Sequence, residues 1–240
     1  MSKPNYTHIA IVIDRSGSML GIKKDVEGGL NNFIQEQKAV EGEATITMAQ
    51  FDDSYEMLYD MVKIANVPNF NLVPRGSTAL LDAMGRTMEH VRDQISELKE
   101  EDRPSKAIFV FITDGGENAS TIFNRARVFE MIEALRSEKD PTWDIVFMGA
   151  NQDAISEGSN LGVRANASYT YAADSHGTQI AFQALSRGMT SYRMKSSESY
   201  AFANEDRQGG EKVEDENDNI IPDVQDIKGD IAFHKSTRTK

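Results

Sequence analysis

Two aspartates and a few hydroxyls offer the most specific chemistry in this chain. One aspartate opens the run Asp14-Arg15-Ser16-Gly17-Ser18-Met19, and the other lies in Thr113-Asp114-Gly115-Gly116. Each follows a short apolar stretch, THIAIVID (7–14) or SKAIFVFIT (105–113), with the length and β-branched content of a buried strand. Each is therefore expected at the carboxyl end of a strand, where open α/β sheets bind ligands. If the two strands are neighbours, the carboxylates face each other and raise each other's pKa unless a cation lies between them. Ser16 and Ser18 are two apart, so an extended backbone aims both hydroxyls the same way, and Gly17 leaves the loop free to turn. A third hydroxyl is available in Arg75-Gly76-Ser77-Thr78-Ala79-Leu80, where a loop enters a helix. An all-oxygen set of this kind suits Mg²⁺ or Mn²⁺ and tolerates Ca²⁺. Two carboxylates balance the ion's charge and the hydroxyls add none. An open position on the ion then stays electrophilic and favours an anionic oxygen from outside, such as a partner's Asp or Glu.

These groups need a scaffold to bring them together. Ile22, Val26, Leu30, Phe33 and Ile34 recur at helical spacing over 21–38, although the Gly28-Gly29 pair weakens that helix. EATITMAQF (43–51) and SYEMLYDMV (54–62) read as a strand pair around Asp52 and Asp53, residues that hairpin turns favour in their own right. A connection containing Pro68 and Pro74 leads to a second helix marked by Leu80, Leu81, Met84, Met88, Val91 and Ile95. Phe123 to Leu135 reads as helix and WDIVFMGA (143–150) as strand. A short helix near 152–160, a strand near 167–172 and a helix near 176–194 continue the alternation. Alternating strands and helices with right-handed crossovers predict an α/β fold, a doubly wound and mostly parallel sheet with helices on both faces.

The chain has 240 residues and 39% hydrophobic content, enough for one sizeable α/β core plus an appendage. It has no cysteine, no apolar run long enough to span a bilayer, and no secretion-signal layout at its N-terminus. The expectation is a soluble, cytoplasmic protein without direct membrane insertion. A formal charge of -12 argues against nucleic acid as a partner, since no basic face would release counterions. Composition divides the chain into a domain over 1–195 and an acidic tail over 196–240, poor in large apolar residues and either draped on the domain or without fixed structure. Asp215, Asn217, Asn219, Asp223 and Asp226 fall at offsets loosely like an EF-hand loop, but Ile220 stands where such a loop needs Gly. A tail carboxylate could instead fill the open metal position, in the same chain or in a neighbour, giving self-association.

D-x-S-x-S, a downstream Thr in a Gly-x-Thr turn, and an apolar strand ending in Thr-Asp-Gly together resemble the metal-ion-dependent adhesion site of von Willebrand factor A domains. The resemblance covers roughly residues 5–195 and assigns Asp14, Ser16, Ser18, Thr78 and Asp114 as the metal-binding set. It implies a six-stranded, Rossmann-like sheet in the order 3-2-1-4-5-6 with one antiparallel edge strand, which the hairpin at 43–62 would supply. The segments DRSGSM, RGSTALLDA and WDIVFMGANQDA resemble the small intracellular A-domain proteins of bacteria and their phages more than integrins or plasma adhesion proteins. What this implies is a protein-interaction module, not an enzyme, that holds Mg²⁺ (or Mn²⁺ or Ca²⁺) and binds an Asp or Glu of a protein partner.

Two alternatives stand beside it. A phosphotransferase of the haloacid dehalogenase type also ends its first strand in Asp, but its second Asp, two residues on, is Ser16 here. A structural protein with a vestigial metal site is the other. Among the bystanders, Arg15 sits between two ligands and is expected to point to solvent, where it would help capture an incoming carboxylate. Glu117 and Asn118 read as solvated loop residues, and Thr78 as a possible helix cap as well as a ligand. The histidines at 8, 90, 176 and 234 show no ligand spacing.

Overall fold

The computed structural model describes residues 2–194 and 199–207. Strand β1 (Lys3–Asp14) runs into a 3-10 turn (Gly17–Ile22) and helix α1 (Lys23–Lys38); β2 (Glu43–Phe51) and β3 (Tyr55–Lys63) form the hairpin. Helix α2 (Leu80–Glu97), β4 (Pro104–Thr113), α3 (Arg125–Ser137), β5 (Thr142–Ala150), α4 (Ala154–Asn160), β6 (Ser168–Tyr171) and α5 (Ser175–Arg193) complete the order. The sheet order is β3-β2-β1-β4-β5-β6. All neighbours pair in parallel except β3, which is antiparallel to β2 at the edge. This is the doubly wound α/β sheet that the alternation predicts, with the hairpin's second strand as the antiparallel edge.

The register places the functional ends together. Ile13 of β1 lies opposite Ile112 of β4, and Asp14 lies opposite Phe51 of β2. The central strands are buried on both faces, with Ile9 to Ile13, Ala107 to Ile112 and Ile145 to Met148 all in the core, as expected for parallel strands covered on two sides. Helix α2 buries Leu80, Leu81, Met84, Met88, Val91 and Ile95 against them, each contributing about 1.5–3 kcal/mol of transfer free energy.

The structure departs from the sequence reading at several ends. β1 starts at Lys3, ahead of its apolar run, because Lys3 also pairs with Pro104 across an irregularity where Asn5 has a φ of 59°. Gly29, which weakens α1 by propensity, has a packing reason: a Cβ there would lie 2.3 Å from the Phe182 ring of α5. Beyond α5, Tyr200 and Phe202 are buried, and Tyr200 packs edge-on against both Tyr192 and Phe202. The Phe202 N–H donates to the Asn166 carbonyl at 2.9 Å. The compact unit runs Met1–Arg207. The EF-hand-like acids, His234 and the rest of 208–240 lie outside the described residues. No helix among the described residues is long and apolar enough to cross a membrane.

Candidate metal centre

Asp14, the last residue of β1, is fully buried. Its Oδ1 accepts the Ser16 N–H at 2.6 Å and its Oδ2 accepts the Thr113 hydroxyl at 2.6 Å. Burial pushes its carboxyl up to about 6; the Thr113 and Ser16 bonds oppose the shift and the Asp114 charge adds to it. Asp114, half-buried one residue past β4, is likewise raised by burial against an opposing bond from Ser18. The Ser18 hydroxyl donates to Asp114 Oδ1 at 2.6 Å and lies 3.0 Å from the Ser16 hydroxyl. Thr78 is buried, and a Cβ on Gly115 would stand 3.4 Å from Thr78 Oγ1 and 3.5 Å from Ser18 Oγ. The structure thus brings together all of Asp14, Ser16, Ser18, Thr78 and Asp114, with Asp14, Ser16 and Thr78 inside and Ser18 facing solvent.

Arg15 does not point to solvent. It is 4% exposed, its Nε donates to Asp52 Oδ2 at 3.0 Å, and its Nη1 donates to Glu56 Oε2 at 2.5 Å. The alternation that turns Ser16 and Ser18 towards the centre turns Arg15 the other way, into the β2–β3 hairpin. Arg75 Nε reaches the same Asp52 Oδ2 at 2.7 Å. Burial opposes ionisation of Asp52, but Arg75, Arg15 and the Ser54 N–H outweigh it and hold the carboxyl below the usual carboxylate range.

Backbone bonds follow the same route. The Arg15 N–H donates to the Phe51 carbonyl (2.7 Å), Arg75 to Arg15 (2.7 Å), Gly17 to Gly76 (3.2 Å) and Ala79 to Asp52 (2.9 Å). Gly76 has a φ of 69°, and a Cβ there would approach Asp52 Cβ to 3.1 Å, so this crossing needs glycine. Asp52 does occupy a turn and accepts the Ser54 N–H at 2.6 Å. It also joins the loops that carry Ser16 and Thr78, a role turn propensity does not disclose. The signal for it in the sequence is an arginine in each of those loops and the acids Asp52, Asp53 and Glu56 in the hairpin.

Glu117 and Asn118 are not free loop residues either. Glu117 accepts the N–H groups of Leu81, Ala119 and Ser120. Asn118, although exposed, accepts the Thr78 N–H at 2.9 Å, and its own N–H donates to the Thr78 carbonyl at 3.0 Å. Thr78 is therefore clasped from both sides, and Ala79 is the N-cap residue of α2. Asp82, in the first turn of α2, accepts the N–H groups of Thr121, Ile122 and Phe123 and fixes the rest of this loop.

The donor set fits a hard divalent cation. Asp52 has Arg15 and Arg75, and the buried Asp144 has Arg164. Asp14 and Asp114 have no ion-pair partner among the described residues, so their charge is uncompensated in a place where burial penalises it. Among the described residues no group of three or more His, Cys, Asp or Glu gathers into a metal site. This centre draws on two carboxylates and three hydroxyls instead, a set that matches oxygen-seeking ions.

No protein-family model matches the chain, and no curated protein matches it. Solved structures do. Proximal thread matrix protein 1 from the mussel byssus is 17% identical over 76% of this chain and 45% of its own, with a TM-score of 0.54. The same protein has been solved with a zinc-occupied metal-ion-dependent adhesion site, 16% identical over 77% of this chain and 46% of that one, again at 0.54. A von Willebrand factor type A protein from Catenulispora acidiphila is 15% identical over 78% of this chain and 42% of that one, at 0.51. The pilus adhesin SpaC from Lactobacillus rhamnosus GG is 13% identical over 78% and 31%, at 0.55. This chain spans less than half the length of each. The likeness is one of fold: the chain has a von Willebrand factor A-type fold.

Proposed function

We propose that this domain is a metal-dependent protein-interaction module. Asp14, Ser16, Ser18, Thr78 and Asp114 would hold Mg²⁺, with Mn²⁺ or Ca²⁺ as substitutes, and the partner would offer an Asp or Glu side chain to the ion. When bound, the cation supplies a positively charged acceptor for an anionic oxygen. The observation that carries the reading is the Asp14–Asp114 pair, buried enough to raise both carboxyls and without an ion-pair partner among the described residues. The zinc found at the corresponding motif of the mussel protein supports it by analogy.

The surface around the centre favours a protein as the bound species. Among the described residues, the exposed large hydrophobics are Leu20, Val73, Ile122 and Met194. The first three lie on the segments that follow Ser18, precede Thr78 and follow Asp114, so each ligand-bearing segment carries one exposed apolar side chain. A carboxylate set among apolar neighbours would bury those side chains, as the cores of protein interfaces do. Both oxygens of Asp14 are engaged, by Ser16 and Thr113, which suits a fixed binding role better than nucleophilic attack.

The test is calorimetric titration of Mg²⁺ and Mn²⁺ into the wild-type chain and Asp14→Ala, followed by capture of partners with and without metal. Binding by the wild type alone, with a partner retained only when metal is present, is expected. Equal binding by both proteins, or none by the wild type, would overturn the reading.

A further inference from the structure

Tyr171 carries a buried hydroxyl that the five-residue set leaves unused. Tyr171 ends β6 opposite Ala150 of β5; on the next strand pair, Gly149 of β5 lies opposite Thr113, the residue before Asp114. The side chain is 5% exposed, and its Oη has no hydrogen-bond partner among the described residues. The register places it at the carboxyl end of the sheet, one row beyond Thr113 and Gly149 and so at the same end as Asp14 and Asp114; burial raises its pKa, and the phenol is neutral at working pH. A second unpartnered polar atom lies just past the end of β5. Gln152 Nε2 is buried without a partner, and the Gln152 side chain folds over Gly149, whose Cβ would meet Gln152 Cγ at 2.8 Å.

Leaving a buried hydroxyl unsatisfied costs about 1–3 kcal/mol. Nothing in the fold requires that cost, because phenylalanine has the same ring without the hydroxyl. Between β1 and β4, by contrast, the Ser18 and Thr113 hydroxyls already have carboxylate acceptors. A buried hydroxyl without a protein partner, at the end of the sheet that carries two carboxylates without a cation, is what an ion with its water shell would satisfy. Water on a divalent cation is a strengthened hydrogen-bond donor, and a neutral phenolic oxygen is a suitable acceptor for it.

We propose that Tyr171 is an outer ligand of the metal centre, its hydroxyl oxygen accepting a hydrogen bond from a water bound to the cation on the β5–β6 side. This rests on the metal reading above. Tyr171 would position that water and so set the ion's affinity and the place left open for the partner's oxygen.

The test is titration of Mn²⁺ alone into the full chain as wild type, Tyr171→Phe and Asp14→Ala, with metal-free thermal unfolding and water-proton relaxation of the Mn²⁺ complexes. Tyr171→Phe should bind Mn²⁺ about tenfold more weakly, the lower end of what loss of an outer-shell partner costs. Its relaxation rate per bound ion should change, and its metal-free melting temperature should be unchanged or raised. If Tyr171→Phe binds like wild type while Asp14→Ala has lost the ion, the role of Tyr171 is overturned and the metal reading stands. A fall in metal-free melting temperature that accompanies any loss of affinity makes the hydroxyl structural and also overturns it. If Asp14→Ala binds like wild type, or the wild type does not bind, both readings fall.

Discussion

On the β1–β2 side of the centre, one carboxylate, Asp52, receives both Arg15 and Arg75 and sits where the backbones of both ligand loops meet the hairpin. On the β5–β6 side, Tyr171 Oη and Gln152 Nε2 are buried with no partner among the described residues. On the first side Asp52 is paired with both arginines before any ion arrives, so the ligand loops are held in place by groups that are not themselves ligands, which is how a preorganised site limits the cost of binding. The second side retains hydrogen-bonding capacity that the protein does not use. The contrast separates two kinds of group at the centre: an ion-paired carboxylate that holds the loops, and an unpartnered hydroxyl with hydrogen-bonding capacity to spare.

The largest expected effect is on the satisfied side. Asp52→Ala leaves Arg15 buried without its main counter-charge and should lower stability by about 3–5 kcal/mol, read from denaturant unfolding. A loss below about 1 kcal/mol, the range of an exposed pair, would erase the difference between the two sides. Next comes the ion. Mg²⁺ at a hundred times its dissociation constant should stabilise the wild type by about 2.7 kcal/mol and leave Asp14→Ala unchanged. Equal shifts in both proteins would move the ion elsewhere.

A buried unpartnered atom remote from the centre supplies a control. His8 Nδ1 lies 2.9 Å from the Thr45 hydroxyl, while Nε2 is buried without a partner. Burial lowers the His8 pKa to about 3; Asp60 opposes that shift and His90 adds to it. The unfolded chain takes up this proton below about pH 6.5 and the folded chain does not. Stability from His8 is therefore full above that pH and is lost as pH falls towards 3, by about 2 kcal/mol between pH 7 and pH 5. His8→Gln should flatten that part of the pH–stability curve; an unchanged slope would mean that His8 is not its source. The smallest effect is on the unsatisfied side, where Gln152→Met should change metal-free stability by no more than about 0.5 kcal/mol, the scale of substitutions that break no partnered group. A loss above about 1 kcal/mol, the worth of a typical hydrogen bond, would show that Gln152 has a partner after all.

Much of this architecture is legible in the sequence because local patterns and strand ends coincide. Asp14 and Asp114 follow runs too apolar to be anything but buried, and α2 announces itself by Leu80, Leu81, Met84, Met88, Val91 and Ile95. The supporting residues are a different matter. Asp52 looks like a turn residue because it is one; its second role exists only once the hairpin, the Asp14 loop and the Thr78 loop meet. Arg15 misleads for the same reason, since strand-like alternation fixes that it points away from the ion but not that the hairpin lies there. Asn118 and Glu117 become helix-end partners only when the loop after β4 folds against α2. Gly29 reads as a weak point in a helix until Phe182, far along the chain, arrives against it. Tyr171 falls in the strand read near 167–172, but nothing in that pattern marks its hydroxyl, whose lack of a partner is visible only in the folded chain.

The shared carboxylate of Asp52 has a consequence for inheritance and redesign. Residues 14–18, the hairpin turn and residues 75–79 are chemically one exchangeable part, although they are distant in the chain. Grafting the Asp14 loop alone onto another domain of this fold would carry an arginine into a place with no acid to meet it. Grafting the three segments together would move the centre with its supports. Loss of the charge at position 15 would leave Asp52 to Arg75 and the Ser54 N–H, and would strip Glu56 of its arginine, so changes at 15, 52 and 56 are coupled through one network.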